Sequence, residues 1–430
     1  MDINRRDLSK FLAGGTAAGL IGLDAPLAAA AALNQSGGAD VAGVGGTIFD
    51  DLAGVRSAVD QLANTWHPQD PHYRADLNRQ IMMNLAFAYF VYFNADPEHP
   101  DWSPLYNPVF ACQPNPDDIY LFSPLRDDLT YRVSGDRGTV SKLIFVTERG
   151  IPGTFDSTQG AGAVNSIDDA DFKVGPDNRF EIIFSAKRPA GYSGDWSELK
   201  PGADVIFSRY RMIDWEHERD PQMSIECLDH VPLKPRLSIA QINEKLKLMA
   251  RVPGNNDKAF YKLQNDILAS VGYNVVQPVK YPGLTKQVYW PAVFQLDHDE
   301  ALIVETEMPK VRPYWNIQLN DPLFNAVEYV YRISSINEST ATFSSDGKLR
   351  AVIAMQDPGV PNWLDPCGYT EGTLYGRWYG CDSTPTATIK RVKLAQLREH
   401  LPADTRVVSP QEREEQLRRR VRAAQRRRRW

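Results

Sequence analysis

Four polar–aromatic clusters hold the residues whose types could do chemistry. Asn115-Pro116-Asp117-Asp118-Ile119-Tyr120 precedes a strand-like run, and Arg209-Tyr210-Arg211 leads into Asp214-Trp215 at the end of another. In Tyr314-Trp315-Asn316-Ile317-Gln318 the residues alternate, so Trp315, Ile317 and Leu319 share one strand face and Asn316 and Gln318 the other. The fourth cluster, Asp357 to Asp365, contains Asn362-Trp363 and is followed by Arg377-Trp378. Trp and Tyr beside Asp, Asn, Gln and Arg make the inventory of a sugar-binding cleft: aromatic faces for pyranose CH groups, planar polar groups for hydroxyls. Asp117, Asp214, Asp357 and Asp365 are candidate acid–base carboxylates, with Arg377 as their cationic companion. Two carboxylates about 5–9 Å apart suit glycoside cleavage. The candidate ligand-binding set is Tyr120, Arg209, Trp215, Trp315, Gln318, Asn362 and Trp363. Each has a structural alternative, because loop Asp and Asn cap backbone groups and a strand Arg pairs with a buried Asp.

Several familiar chemistries are missing. The chain has no GxSxG elbow, P-loop, HExxH or strand-following GxGxxG. Asp297-His298-Asp299-Glu300 has metal-ligating residue types, but it falls in a hairpin turn where polar residues are expected anyway. No metal and no cofactor is therefore expected. His217 is a lone imidazole among charges and reads as surface. The four cysteines contain no CxxC pair. A Cys367–Cys381 bond would close a loop of about 15 residues, worth about 3 kcal/mol if unstrained; two free thiols fit the sequence equally well.

Positioning these clusters requires elements on both sides of them. Helical spacing is present over 51–64 and over 73–94, where Ile81, Leu85, Ala88 and Tyr92 line one side and Asp96-Pro97 ends the run. From 119 to 229, short β-like runs alternate with turn clusters, the pattern of a sandwich or barrel. Residues 239–251 and 256–270 read as two helical pieces broken at Val252-Pro253-Gly254. Strands resume from Gln287, with a hairpin at Asp346-Gly347. Ser409, Pro410 and Glu412 signal a final helix with a capping box.

Within these elements, PNPDDIY, YRVSGDRG, FEIIFSAKRP and SRYRMIDWEHE, together with DPGVPNWLD and GTLYGRWYG, form a set. Over roughly 75–400 that set resembles the domain-of-unknown-function family 1214, often found beside family 1254. The resemblance implies jelly-roll-like β-sandwich domains and a suggested link to carbohydrate recognition or processing. It brings no catalytic residues to carry over. The expected fold is thus α+β and β-rich, two jelly-roll-like sandwich units joined by a helical segment, with N-terminal helices. The expected divisions are a first sandwich with its helices over 51–237, a connector over 238–272, a second sandwich over 273–402 and an Arg-rich tail over 403–430.

Residues 1–32 read as a twin-arginine export signal. Arg5-Arg6 precede the apolar run Phe11–Leu23, which is too short for a membrane span of roughly 20 residues, and Ala28–Ala32 offers small-residue cleavage sites. An uncleaved N-terminal anchor is the alternative. Residues 33–50 read as a Gly-rich leader. The expected location is periplasmic or secreted. The overall charge is −6; residues 411–430 carry nine Arg against three Glu and 1–32 balance, which leaves −12 on the body. That acidity argues against nucleic-acid binding. The Arg-rich tail reads either as a solvated helix or as a segment that docks an acidic surface or anionic lipid.

Three functions follow as expectations. The first is an exported hydrolase or lyase acting on a carbohydrate or similar small molecule. The second is a non-catalytic ligand-binding or assembly-forming sandwich, with a homo-oligomer left open. The third is an enzyme of lipid-like or aromatic catabolism with Tyr89, Trp290 and Trp315 lining an apolar pocket. Convergence of the carboxylates on one cleft favours the first, an aromatic groove without paired carboxylates the second.

Overall fold

The computed structural model describes residues 71–151, 153–154, 162–280 and 286–427 of the 430-residue chain. The export segment, the leader and the helix expected over 51–64 lie outside those residues. No helix among the described residues is long and apolar enough to cross a membrane.

Two β-sandwiches form the body. The first packs a five-stranded sheet, in the order β1 (Ser103–Pro104), β2 (Asp118–Pro124), β8 (Val205–Arg211), β4 (Lys142–Arg149), β5 (Gly162–Asp168), against a four-stranded one. The latter runs β7 (Asp195–Glu198), β6 (Arg179–Ser185), β3 (Tyr131–Asp136), β9 (Gln222–Cys227). Strand β8 shows why the layers form. Ile206 and Tyr210 point into the core between these sheets, whereas Val205 and Phe207 join a second apolar cluster on the opposite face. Both faces of β8 are therefore buried, and the strand reads as mixed rather than alternating.

The second sandwich pairs the sheet β10 (Gln287–Gln295), β16 (Glu371–Tyr379), β12 (Tyr314–Asn320), β13 (Ser335–Asn337) with the sheet β15 (Trp363–Leu364), β14 (Leu349–Ala354), β11 (Glu300–Thr306), β17 (Thr388–Lys393). Trp315, Ile317 and Leu319 fill its core, as their alternation predicts, beside Trp290 and Trp378. Trp315 is fully buried, so it packs and cannot present a face to a ligand. The same holds for Trp290, and Tyr89 stands on the outer surface. The apolar pocket expected from these three residues therefore does not form.

Helix α1 (Pro71–Tyr89), continued by a π-turn over Phe90–Asn94, lies beside α2 (Ile239–Val271). The buried side of α1 is Tyr73, Leu77, Gln80, Asn84, Phe87 and Ala88, about one position off the expected stripe and more polar than it. A full capping box at Ser238 starts α2, which runs unbroken through Pro253. Pro253 removes one backbone donor, but Ala250, Val252 and Asn256 are all buried on either side of it. Tertiary packing thus outweighs the local break.

Candidate functional site

The polar faces of the two sandwiches meet. Asn115, in the loop before β2, donates from Nδ2 to the Tyr314 hydroxyl at 2.7 Å and accepts from Asn316 Nδ2 at 2.7 Å. Tyr314 in turn donates to Asp117 Oδ2 at 2.8 Å. Deeper in, Arg377 Nη1 donates to Gln318 Oε1 at 2.7 Å and to Asn316 Oδ1 at 3.2 Å. A hydrogen-bonded chain thus runs from Arg377 through Asn316, Asn115 and Tyr314 to Asp117. All five are buried, so this chain fixes how the sandwiches meet.

Asp117 ends that chain at a pocket of about 310 Å³. Five residues of the sequence-derived set line it: Asp117, Asp214, Trp215, Asn362 and Trp363. The remaining wall comes from the β13 region, with Ser335, Asn337 and Thr340, and from the tail helix α3 (Pro410–Arg426). Ser409 caps its first turn by accepting from the Glu412 amide at 3.1 Å; the reciprocal half of the expected capping box is absent, since Glu412 pairs with Arg406 instead.

The tail docks on its own chain. Arg413 donates to Asp357 at 2.9 and 3.2 Å and covers the Trp363 ring at 5.3 Å. Arg420 donates to the Tyr329 carbonyl at 2.6 Å and to Ser335 Oγ at 2.7 Å. Arg427 reaches the carbonyls of Pro116 and Asp117 at 2.5 and 2.9 Å. Arg420 and Arg427 hold the Trp215 indole between them, each 4.6 Å from its ring. These three arginines are committed in cis, which composition alone gave no way to see.

Two carboxylates in the pocket differ in environment. Burial pushes the Asp117 carboxyl above its ordinary range, against the pull of the Tyr314 hydroxyl. Its oxygens also accept from Trp215 Nε1 at 2.9 Å and Asn337 Nδ2 at 2.8 Å, obligatory donors that require it as an acceptor. Burial acts upward on Asp214 too, but the hydrogen bond from His217 at 2.8 Å overrides it and holds Asp214 low. His217 is exposed, as expected, but partnered. Burial pushes the Arg420 guanidinium down to about 10.

The other candidates stand elsewhere. Asp365 accepts from Arg332 at 2.7 Å and from the Cys367 amide at 2.8 Å, a structural duty outside the pocket. Arg377, Gln318, Tyr120 and Arg209 lie between the sandwiches. The proposed catalytic groups therefore do not converge: Asp117 and Asp214 share the pocket, Asp357 is held by Arg413, and Asp365 and Arg377 do not reach the pocket. Asn362 and Trp363 line the pocket but spend their polar atoms on the backbone, with Asn362 bonded to the Thr342 and Arg350 carbonyls and Trp363 to that of Ala354. Sequence reasoning passed over Asn337, which has no local signal in the short strand β13, and Arg413 and Arg420, whose only local signal was an Arg-rich helix. Cys367 and Cys381 are free thiols. Asp297, Asp299 and Glu300 come together but are ion-paired with Arg391 and Lys393.

Residues 294–383 match the model of the family described as "Protein of unknown function (DUF1214)". A solved structure of an uncharacterised protein from Burkholderia cenocepacia is 25% identical, with a TM-score of 0.75, over 81% of this chain and 98% of that one. A protein from Vibrio parahaemolyticus is 14% identical over 74% of this chain and 99% of its own, with a TM-score of 0.44. No curated protein matches the chain.

Proposed function

We propose that the protein binds a small, polyhydroxylated, negatively charged ligand of the sugar-acid class in the pocket under α3. The observation that carries this reading is the pairing of two indoles, Trp215 and Trp363, with four arginines in one concave site of ligand size. Arg419 stands at the pocket, exposed, and its one ion pair, with the exposed Glu216 at 3.8 Å, makes no hydrogen bond, so its guanidinium can turn to meet a carboxylate. Binding is favoured over turnover because Asp117 and Asp214 are both engaged by protein donors. Calorimetric titration of the purified protein with glucuronate, galacturonate and glucose tests it. The uronates should bind saturably and glucose at least about tenfold more weakly, with Arg419→Ala erasing the difference. No saturable uronate binding ends the reading.

A second reading, acid–base catalysis on the same ligand class, draws support from one fact: Asp117 is pushed up and Asp214 held down within one pocket, a division that suits an acid and a base. Turnover of a uronate-containing oligosaccharide that vanishes in Asp214→Asn would favour it. On the twin-arginine reading of 1–32 this ligand lies outside the cytoplasm; wild-type protein retained in the cytoplasm would remove that placement, and export that survives Arg5→Lys with Arg6→Lys would remove the twin-arginine route.

A further inference from the structure

Arg209 poses a problem that the pocket does not solve. It points from the face of β8 that meets the helices and the second sandwich, and its side chain is only 12% exposed. Among the described residues its guanidinium makes no hydrogen bond, and its Nε is buried without a partner. The nearest acid, Asp118, is 3.6 Å away and already grasped by Arg211 at 2.6 and 2.8 Å. A guanidinium taken from water with only one long, shared ion pair and an orphaned Nε costs several kcal/mol, so such a group marks a place where a further partner is wanted.

Other weakly partnered groups gather beside it. Tyr120 lies directly across from Arg209 in the β2–β8 register, and its hydroxyl has only a 3.5 Å contact to Asp118 and a 3.4 Å contact from the Asn115 amide. Tyr106 meets Tyr120 edge-on at 5.4 Å and stacks on Phe87 at 5.7 Å. Glu148, from the neighbouring strand β4, feels the charge of Arg209 but forms no ion pair with it. Among the described residues neither the Tyr106 hydroxyl nor the Glu148 carboxyl has a hydrogen bond, and both residues are half-buried. Around them the walls are apolar: Phe87, Ile144, Val146 and Phe207 belong to one buried cluster against which Tyr106 and Tyr120 pack.

We propose that Arg209, Tyr106, Tyr120 and Glu148 form a second, interior binding site for a small aromatic or aliphatic carboxylic acid. The ligand's carboxylate lies on the Arg209 guanidinium, which presents a planar fork matched to that group. The tyrosine hydroxyls, and the Glu148 carboxyl in its protonated form, supply further donors, and the ligand's apolar body rests against the half-buried Tyr106 ring. One guanidinium without a hydrogen bond, in an aromatic setting, selects a monoanion with an apolar body, where the tail-lined pocket selects hydroxyls. The two sites share no residue, so this inference is independent of the sugar-acid reading.

Calorimetric titration of the full-length protein with benzoate, hexanoate and the uncharged isostere benzamide tests it. Benzoate or hexanoate should bind saturably, benzamide at least about tenfold more weakly. Arg209→Met should lose at least about tenfold in affinity, and Arg419→Ala should leave it unchanged. If Arg209→Met does not fold, Tyr106→Phe takes its place and should weaken binding by about threefold to tenfold. Failure of both acids to bind, equal binding of benzamide, or undiminished affinity in the Arg209 or Tyr106 variant overturns the proposal.

Discussion

Arg211 and Asp118 sit directly opposite one another on β8 and β2 and join by two hydrogen bonds, at 2.6 and 2.8 Å, with both side chains buried. Burial pushes the Asp118 carboxyl up, and the Arg211 guanidinium overrides it and holds the group below the ordinary range. Arg211 also lies over the Tyr314 ring at 3.7 Å, so one side chain binds its own sheet to the neighbouring sandwich. Arg209, two residues earlier on the same face, is also largely buried but meets Asp118 only at 3.6 Å and without a hydrogen bond. The pair predicts unequal outcomes for one substitution. Arg211→Met leaves Asp118 only the 3.6 Å ion pair with Arg209 and should cost about 3–5 kcal/mol, whereas Arg209→Met removes a charge that makes no hydrogen bond and should cost no more than about 1 kcal/mol. Urea midpoints of the two variants check this; equal losses would mean the long Arg209–Asp118 pair holds the structure as firmly as the hydrogen-bonded one.

The tail predicts a second result. Because Arg420 and Arg427 cover Trp215 and Arg413 covers Trp363, deleting 410–430 should uncover two indoles at once. Tryptophan emission should move to longer wavelength and the thermal midpoint should fall by several degrees. The milder change Arg427→Ala leaves the Pro116 and Asp117 carbonyls without that donor and should cost about 1–3 kcal/mol. Unchanged emission after deletion would contradict docking in cis.

What the sequence could and could not disclose follows from the range of the forces. The period-two alternation in Tyr314–Asn320 divides core from polar residues correctly, because one face of a strand always meets its own sandwich. It does not disclose that Asn316 and Gln318 are buried as well, since their cover comes from a loop two hundred residues earlier. Pro253 misleads for a related reason: the local break is real, but buried neighbours on either side hold the helix straight through it. The Arg-rich tail carries a solvent-like composition, and only the backbone carbonyls and indoles of distant loops turn its arginines inward. The motifs around Asp117 and Trp215 were visible; their meeting was not.

Glu148 predicts a dependence on pH. Burial raises its carboxyl to about 7, Arg209 pulls it down and Asp204 pushes it up; Tyr106 and Tyr120 are the other ionisable groups of the cluster. An acid whose folded value is raised binds more protons folded than unfolded between about 4.5 and 7. Its contribution therefore falls as pH rises through that window and stays unfavourable above it. Glu148→Gln should remove the penalty, stabilising the protein at pH 8 by on the order of 2 kcal/mol and leaving it nearly unchanged at pH 4.5. Thermal midpoints at both pH values decide it. A variant that is destabilised at pH 8 would show Glu148 ionised and usefully paired.

Two glycines separate steric from conformational roles. Gly376 lies in the central strand β16, across from Trp290 on one side and Ile317 on the other. A Cβ there would fall 1.8 Å from Cε2 of Trp290, a fully buried ring stacked on Trp378 at 5.6 Å. Neither ring can retreat, because Trp315 packs 6.4 Å from Trp378 in the same core. Gly376→Ala should therefore cost at least about 3 kcal/mol, the upper end of what overpacking does. Gly254, inside α2, has nothing within 4 Å of its hypothetical Cβ. Gly254→Ala should instead stabilise by about 0.5–1 kcal/mol through helix propensity alone. Urea midpoints that move in opposite directions support the packing described for the second sandwich; a tolerated Gly376→Ala would mean the Trp290 ring does not lie over that strand.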